Sequence, residues 1–416
     1  MTSPSAPRVT VAAAVSSALV AALVAFAPVA DAAGPRIKLQ RWSTTAELAH
    51  GSKQGTKASS GQISMAKRAG TAKYGSKRYD YARWTSPWSS AGFGANALIP
   101  SWNAKTPTGT MVKIQVRGYT TKRRVGSFDT IAYWASGDSR IKRKSGTSQS
   151  DDYSSVRTDM AVLDRGYRYA KWQIRVVLMR PTGSGARPTV QSLGAVASLT
   201  RSVPKTSRTT MSKKVELSVP RYSQMIHKGE YPKWNGGGAA WCSPTSTTMV
   251  LRYFKSGPTA KQYAWVSKKY KNRFVDHAAR YTYDYRYGGT GNWPFNTAYA
   301  GSFGMAAFVT RMANLRDAEA FIKAGIPVVA SIKFKKGQLS GAPISSTAGH
   351  VVVITGFSSA GKVIVADPAG SRNSNVRRVY NRAQFERAWI GGSQGTAYVI
   401  RRASKKLPAS AGHARW

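Results

Sequence analysis

A single cysteine, Cys242, stands directly before Ser-Pro in AAWCSPTSTTMVLRYF (239–254). Pro244 suits a first helical turn, and Met249, Val250, Tyr253 and Phe254 then recur at helical spacing, so the segment predicts a helix that opens at the cysteine. A thiol there faces unpaired backbone N–H groups and the positive end of the helix dipole. Both favour the thiolate, the form that acts as a nucleophile. A small buried residue that merely begins a helix reads the same way from this segment alone. A base must come from one of five histidines, His50, His227, His277, His350 and His413. His350 follows Gly349 and opens the apolar run HVVVITGF (350–357), so a strand fixes its ring and the glycine admits a close approach. A turn at Ser358–Gly361 leads into KVIVADP, which ends in Asp367 and Pro368. Two neighbouring antiparallel strands place His350 at the start of one and Asp367 at the end of the next, side by side. A carboxylate in that position accepts the imidazole N–H, holds its tautomer and stabilises imidazolium. An aspartate before proline is also a common turn residue, and only the paired placement raises it above that. Between cysteine and histidine lies GGTGNWPFNTAYA (288–300), whose Trp293, Phe295 and Asn296 read as lining a substrate cleft or as packing anchors. One cysteine and scattered histidines give no zinc site, and no metal or organic cofactor is implied.

The elements that hold these residues divide the chain in two, as 416 residues suggest. From about Tyr81 to Leu199 the runs MVKIQVR (111–117) and KWQIRVV (171–177) alternate apolar with polar, separated by Gly/Ser/Asp-rich turns. This predicts an all-β, sandwich-like domain over 75–200, with 33–74 unassigned before it. Trp84, Trp88, Trp102, Trp134 and Trp172 fall in this half, where core packing is the commoner role for a tryptophan and stacking on sugars the rarer. The polar, basic stretch 201–217 reads as a linker. After it, a helix from Cys242, a second near Leu315–Ala324 and strands at 326–334, 350–357, 362–366 and 396–402 predict an α+β domain with an antiparallel sheet over 218–402. The last residues, 403–416, read as a frayed basic tail.

The first 32 residues carry one basic residue, an Ala/Val/Leu run and small residues around Ala30-Asp31-Ala32, which is the grammar of an export signal. Its removal takes Arg8 and Asp31 together, so the formal charge of +46 is kept. No stable membrane span is expected after that removal, and the protein is expected to be secreted and associated with the cell wall. A cysteine alone in an exported protein has no internal disulfide partner. The charge surplus collects polyanions, wall polymers foremost, but its clusters follow no nucleic-acid-binding pattern and no specific nucleic acid is expected.

Taken together, VPRYSQ (219–224), WCSPTSTTMV (241–250), GHVVVITGF (349–357) and VIVADP (363–368) resemble the papain-like cysteine peptidases related to bacteriocin double-glycine-leader peptidases. More narrowly, the chain is similar to secreted actinobacterial members in which a β-rich domain precedes the peptidase domain. The resemblance spans about Leu217 to Arg402 and implies a papain-like fold. It also implies Cys242 as nucleophile, His350 as base, Asp367 as orienter, and Gln224 as oxyanion donor beside the backbone N–H of Cys242. Ser243 stands where the family usually has glycine, and the insertion MIHKGEYPKWNGGGAAW (225–241) separates Gln224 from Cys242. The expected activity is hydrolysis of peptide or related amide bonds, on free peptides or wall peptides. An amidase, isopeptidase or acyl transferase on the same site, and a wall-adhering binding protein with an inactive papain-like half, are the alternatives.

Retention of the protein on an immobilised anionic wall polymer is expected to fall steeply between about 50 and about 200 mM salt, because counterion release drives it. Retention that stays level across that range in a pull-down would refute a charge-driven adhesion.

Overall fold

Every second side chain of Met111–Thr120 is buried, and the strand lies in register against Tyr169–Pro181, so that Ile174 faces Val116, Val176 faces Ile114 and Leu178 faces Val112. These β-branched and leucine pairs fill one face of a twisted sheet, which is what the alternation in sequence demands. In the computed structural model, which describes residues 36–147, 149–199, 205–410 and 414–416, this sheet has eight strands and belongs to a β-rich first half. A second eight-stranded sheet is built around Ala97–Lys105, Thr189–Leu199 and Arg36–Trp42. Tryptophans join the two. Trp42 meets Trp84 at 5.8 Å and Trp172 at 5.9 Å, both edge to face, and Trp102 meets Trp134 at 6.2 Å. All five are buried. Of the tryptophans read from the sequence in this half, Trp88 alone is exposed. The export-signal segment 1–32 lies outside the described residues, as do 200–204; no helix among the described residues is long and apolar enough to cross a membrane.

The chain from Val215 onward forms a seven-stranded antiparallel sheet. Its order is Ala306–Arg311, Thr396–Arg401, Val328–Phe334, Thr347–Phe357, Val363–Ala366 and Arg377–Tyr380, with Val215–Glu216 pairing at Thr347–Phe357. The helices Cys242–Tyr253, Phe274–Thr282, Trp293–Gly301 and Leu315–Lys323 accompany it. The strands around His350 and before Asp367 and the helix from Leu315 fall close to their expected places. The helices at Phe274 and Trp293 and the outer strands Ala306–Arg311 and Arg377–Tyr380 are additions to the elements read from the sequence.

Three boundaries differ from the sequence reading. Residues 36–74 are integral strands of both sheets rather than a preceding segment. The described part of the linker is tied down, because Thr209 and Thr210 donate to Glu319 at 2.6–2.8 Å and Ser207 N donates to Glu386 at 2.8 Å. The tail returns to the first half, where Ala414–Arg415 pairs in parallel with Ile37 and Lys38. Hydroxyl-rich and basic composition suggested solvent exposure; buried carboxylates at Glu319 and Glu386 supply the partners that reverse it.

The halves share one core. Phe295 from the second half sits edge-on between Trp102 at 6.1 Å and Trp134 at 5.2 Å. Asn103 exchanges two hydrogen bonds with the backbone of Ala307, and Arg280 makes a bidentate pair with Asp138 at 2.8 Å. Arg143 is completely buried and donates to five carbonyls, those of Ala135, Ser136 and Gly137 on its own side and Arg280 and Tyr283 on the other. Burial lowers its guanidinium to about 10, which keeps it charged at any physiological pH. Arg143→Ala strands these carbonyls and is expected to cost on the order of 3 kcal/mol. In a denaturant titration the wild-type protein is expected to unfold in one transition; two well-separated transitions would mean that the halves are independent.

Candidate active site

Cys242 opens its helix as the sequence suggests, one residue after the buried Trp241, whose indole N–H donates to the Trp234 carbonyl at 2.6 Å. The first turn is built to be immobile. Ser243 Oγ and Tyr398 Oη share a hydrogen bond of 2.8 Å inside the core, and every residue from Ser243 to Leu251 is buried. Ser246 Oγ donates to the carbonyl of Val351 at 3.1 Å, which fastens the cysteine helix to the strand that carries His350, one residue away. Ser243 is thus accommodated by the tyrosine hydroxyl rather than by open space.

The antiparallel pairing of Thr347–Phe357 with Val363–Ala366 sets Val353 against Ala366, so Asp367, just beyond, lies alongside the beginning of the histidine strand. His350 Nε2 meets Asp367 Oδ1 at 2.7 Å with both side chains buried. Asp367 is otherwise satisfied: Ala369 N donates to Oδ1 at 3.0 Å and the Tyr380 hydroxyl to Oδ2 at 2.8 Å. Burial opposes ionisation of the carboxyl, but the imidazole and these donors outweigh it and hold Asp367 below the usual carboxylate value. Burial likewise opposes protonation of His350. The adjacent carboxylate and the nearby Cys242 sulfur more than offset this, raising the imidazole well above 6.5. With Nε2 committed to Asp367, Nδ1 is the nitrogen left for the sulfur. The arrangement can therefore hold an imidazolium beside a thiolate, the charge distribution that nucleophilic sulfur chemistry uses.

Cys242 is partly exposed on a cavity of about 340 Å³ that His350 also lines. One wall comes from the first half of the chain, the turn Arg157–Met160, where Thr158 adopts a left-handed φ of 44°. Asp159 of that turn accepts from Trp293 N at 3.4 Å, and desolvation raises its carboxyl to about 7. Tyr287 and Trp293 form a second wall, Ser331–Lys333 and Ala348–Gly349 a third. A Cβ on Gly349 would meet nothing within 4 Å, so the backbone before His350 is open to a substrate. A wider cleft of about 820 Å³ along Glu216 and Arg377 holds neither cysteine nor histidine among its lining residues.

Of the three residues read as cleft-lining, Trp293 does line the cavity. Phe295 and Asn296 do not. They lie in the first turn of a helix that starts at Trp293, and the rotation per residue carries Phe295 into the core between the halves and turns Asn296 inward to the carbonyls of Thr290 and Asn292, each at 2.9 Å. Gln224 lies close by but off the cavity wall. Its backbone N–H donates to Pro368 O at 2.8 Å, and its amide nitrogen donates to the carbonyl of Ala239 at 2.6 Å. The insertion folds back onto Gln224 because Gly237, at φ 89°, and Gly238 allow it, and its Trp234 and Trp241 are buried. A Cβ on Gly238 would lie 2.4 Å from the carbonyl oxygen of Gln224. His277 is a buried partner of Tyr299 at 2.9 Å, His227 is buried in the insertion, and His50 is exposed. Sequence reasoning missed Tyr380, which an ordinary strand supplies, and the turn at Asp159, which comes from the other half.

No curated protein matches the chain. Two families do, end to end: the Peptidase C39 N-terminal domain over residues 38–198 and the Peptidase C39-like family over residues 216–396. With a multi-sheet N-terminal domain of actinobacterial type followed by a half that holds cysteine, histidine and aspartate together, the chain belongs to the C39-like peptidases.

Proposed function

We propose that the protein is an exported, wall-associated cysteine peptidase of papain-like fold and mechanism, cleaving peptide or related amide bonds. The observation that carries the reading is the junction of a partly exposed Cys242, a buried His350 and a 2.7 Å bond from His350 to Asp367 at one open cavity. The family alone leaves room for inactive members. A chain whose papain-like half only adhered to the wall would have no use for a buried, fully satisfied carboxylate behind a histidine that faces the lone thiol.

In the proposed cycle the Cys242 thiolate attacks the carbonyl carbon, forming a C–S bond and an oxyanion. The backbone N–H of Cys242 is the donor for that oxyanion, and Gln224, off the cavity wall with its amide N–H on the Ala239 carbonyl, braces the loop before the cysteine. His350 gives its Nδ1 proton to the departing amine as the C–N bond breaks. It then takes a proton from water, whose hydroxide releases the acid and restores the thiolate. Asp367 keeps Nε2 protonated and the ring aligned, and Tyr380 keeps Asp367 aligned. Export follows from the Ala-rich first 32 residues and wall association from the charge of +46.

Because this is the sole cysteine, iodoacetamide labelling needs no mapping. Native protein is expected to be alkylated at mildly acidic pH with hydrolysis of peptide or wall-fragment substrates lost in step, Cys242→Ala to be inactive, and His350→Ala to be alkylated more slowly. A thiol that resists until the protein is unfolded would remove the nucleophile from the scheme.

The pH profile tests the pair. The folded imidazole is raised, so the protonated form persists from below 6.5 to well above it, and the alkaline limb of kcat/KM is expected far above neutrality. In Asp367→Asn the raising charge is gone while burial still lowers the imidazole, so that limb is expected to move down in pH. His350→Ala is expected to cost on the order of 10³-fold in kcat/KM, and Asp367→Asn less. An alkaline limb that does not move in Asp367→Asn would contradict the assigned role.

A further inference from the structure

The insertion between Gln224 and Cys242 carries His227 and Glu230, three residues apart. The chain there makes a 3-10 turn over Met225–His227 and then a tight turn in which Glu230 N donates to His227 O at 2.9 Å, with Gly229 at φ 85°. The turn brings both side chains to one side, His227 Nδ1 beside the Glu230 carboxylate. Facing them from the first turn of the helix Phe274–Thr282 is Asp276, completely buried. His227 is also completely buried and Glu230 is 8% exposed.

The contacts among these groups leave one carboxylate unexplained. His227 Nδ1 lies 2.7 Å from Glu230 Oε2, which accounts for a proton on that nitrogen. Asp276 Oδ2 lies 3.4 Å from the same Nδ1, whose proton is already given away. Neither oxygen of Asp276 has a hydrogen-bond partner among the described residues. A fully buried carboxylate without donors is among the costliest arrangements a core can contain. Burial accordingly raises the Asp276 carboxyl. An imidazolium with two carboxylates also leaves the cluster with one negative charge in excess.

We propose that His227, Glu230 and Asp276 are the ligands of a structural divalent metal ion of the zinc class, seated behind the start of the nucleophile helix. One donor atom from each residue lies within 4.8 Å of the other two. Two ligands bonded at about 2.1 Å in tetrahedral geometry stand about 3.4 Å apart, the spacing of Nδ1 and Asp276 Oδ2; the 2.7 Å pair opens by about 0.7 Å once its proton is displaced. The ion releases that proton to solvent, leaving a neutral imidazole, two carboxylates and a +2 charge, a balanced set. Glu230, the least buried of the three at 8% exposed, marks the way in, and water completes the coordination. The imidazole ring packs against Trp241, the residue before Cys242, at 6.0 Å with the planes tilted by 38°, so the ion fixes the loop that connects Gln224 to the nucleophile. Sequence spacing hid the set, since two ligands lie in the insertion and the third on a helix far along the chain.

The test uses the full-length Cys242→Ala protein, in which the catalytic thiol cannot capture zinc, stripped with EDTA and titrated with ZnCl₂. Elemental analysis after desalting is expected to find about one zinc per chain, and thermal unfolding to rise by several degrees with added zinc. Glu230→Gln and Asp276→Asn in that background are expected to bind at least about tenfold more weakly and to lose the zinc-dependent rise. In the metal-free state Asp276→Asn is expected to melt no lower than its parent, because it removes the uncompensated charge; a purely structural ion triad would be destabilised by the same change. Failure to retain zinc, retention unaffected by Glu230→Gln, or a metal-free Asp276→Asn that melts clearly lower would each overturn the site. None of these readouts depends on hydrolysis, so they stand or fall apart from the peptidase reading.

Discussion

Neither His350 nor Asp367 is tolerable in this core alone. A carboxylate and an imidazole taken out of water each lose hydration that only a well-placed partner replaces, and the 2.7 Å bond between them is that partner. The rest of the second half is arranged to keep the bond in register. The strand pairing of Val353 with Ala366 sets the two residues abreast, Tyr380 occupies the remaining carboxylate oxygen, and Ser246 fastens the cysteine helix to the histidine strand. A register slip of one residue would turn His350 to the opposite face and leave Asp367 charged and unpaired.

The first half contributes to the same site rather than standing apart from it. Its turn at Arg157–Met160 closes the cavity, and a residue in left-handed conformation, Thr158, holds Asp159 against the helix that begins at Trp293. That placement is only as firm as the seam between the halves, where Arg143 satisfies carbonyls from both and Phe295 fills the gap between Trp102 and Trp134. The matching of two consecutive families to one chain fits this arrangement, in which one half brings Cys242, His350 and Asp367 together and the other walls the cavity beside them.

What the sequence made legible was local or periodic. A proline two residues after a cysteine marks a helix start, and an apolar strand opening at His350 followed by a turn and a second strand ending at Asp367 forces the two residues together. The alternating runs of the first half gave its sheets. Groups whose partners lie far along the chain were not legible. Asp159 looks like any turn aspartate, Arg143 like one member of a basic cluster, and Tyr380 like an ordinary strand residue. Phe295 and Asn296 were misplaced because a glycine-rich approach masked the helix that follows, and in a helix neighbouring residues point to different faces. The stretch before Val215 looked like a linker because it is polar, basic and aperiodic, and nothing local shows that Thr209 and Thr210 reach Glu319 or that the Ser207 N–H reaches Glu386.

The parallel pairing of Ala414–Arg415 with Ile37–Lys38 bears on the order in which the molecule assembles. A chain that emerges from its N-terminal end presents Arg36–Trp42 early, with Thr189–Leu199 to pair on one side and nothing on the other until the whole second half has been made. The edge of that sheet is a contact of the greatest sequence separation the described chain allows, and such contacts form last because loop closure must precede them. Until then an open strand edge remains beside residues that the finished protein covers, so a chain arrested short of its final strand keeps a surface to which other unfinished chains can add.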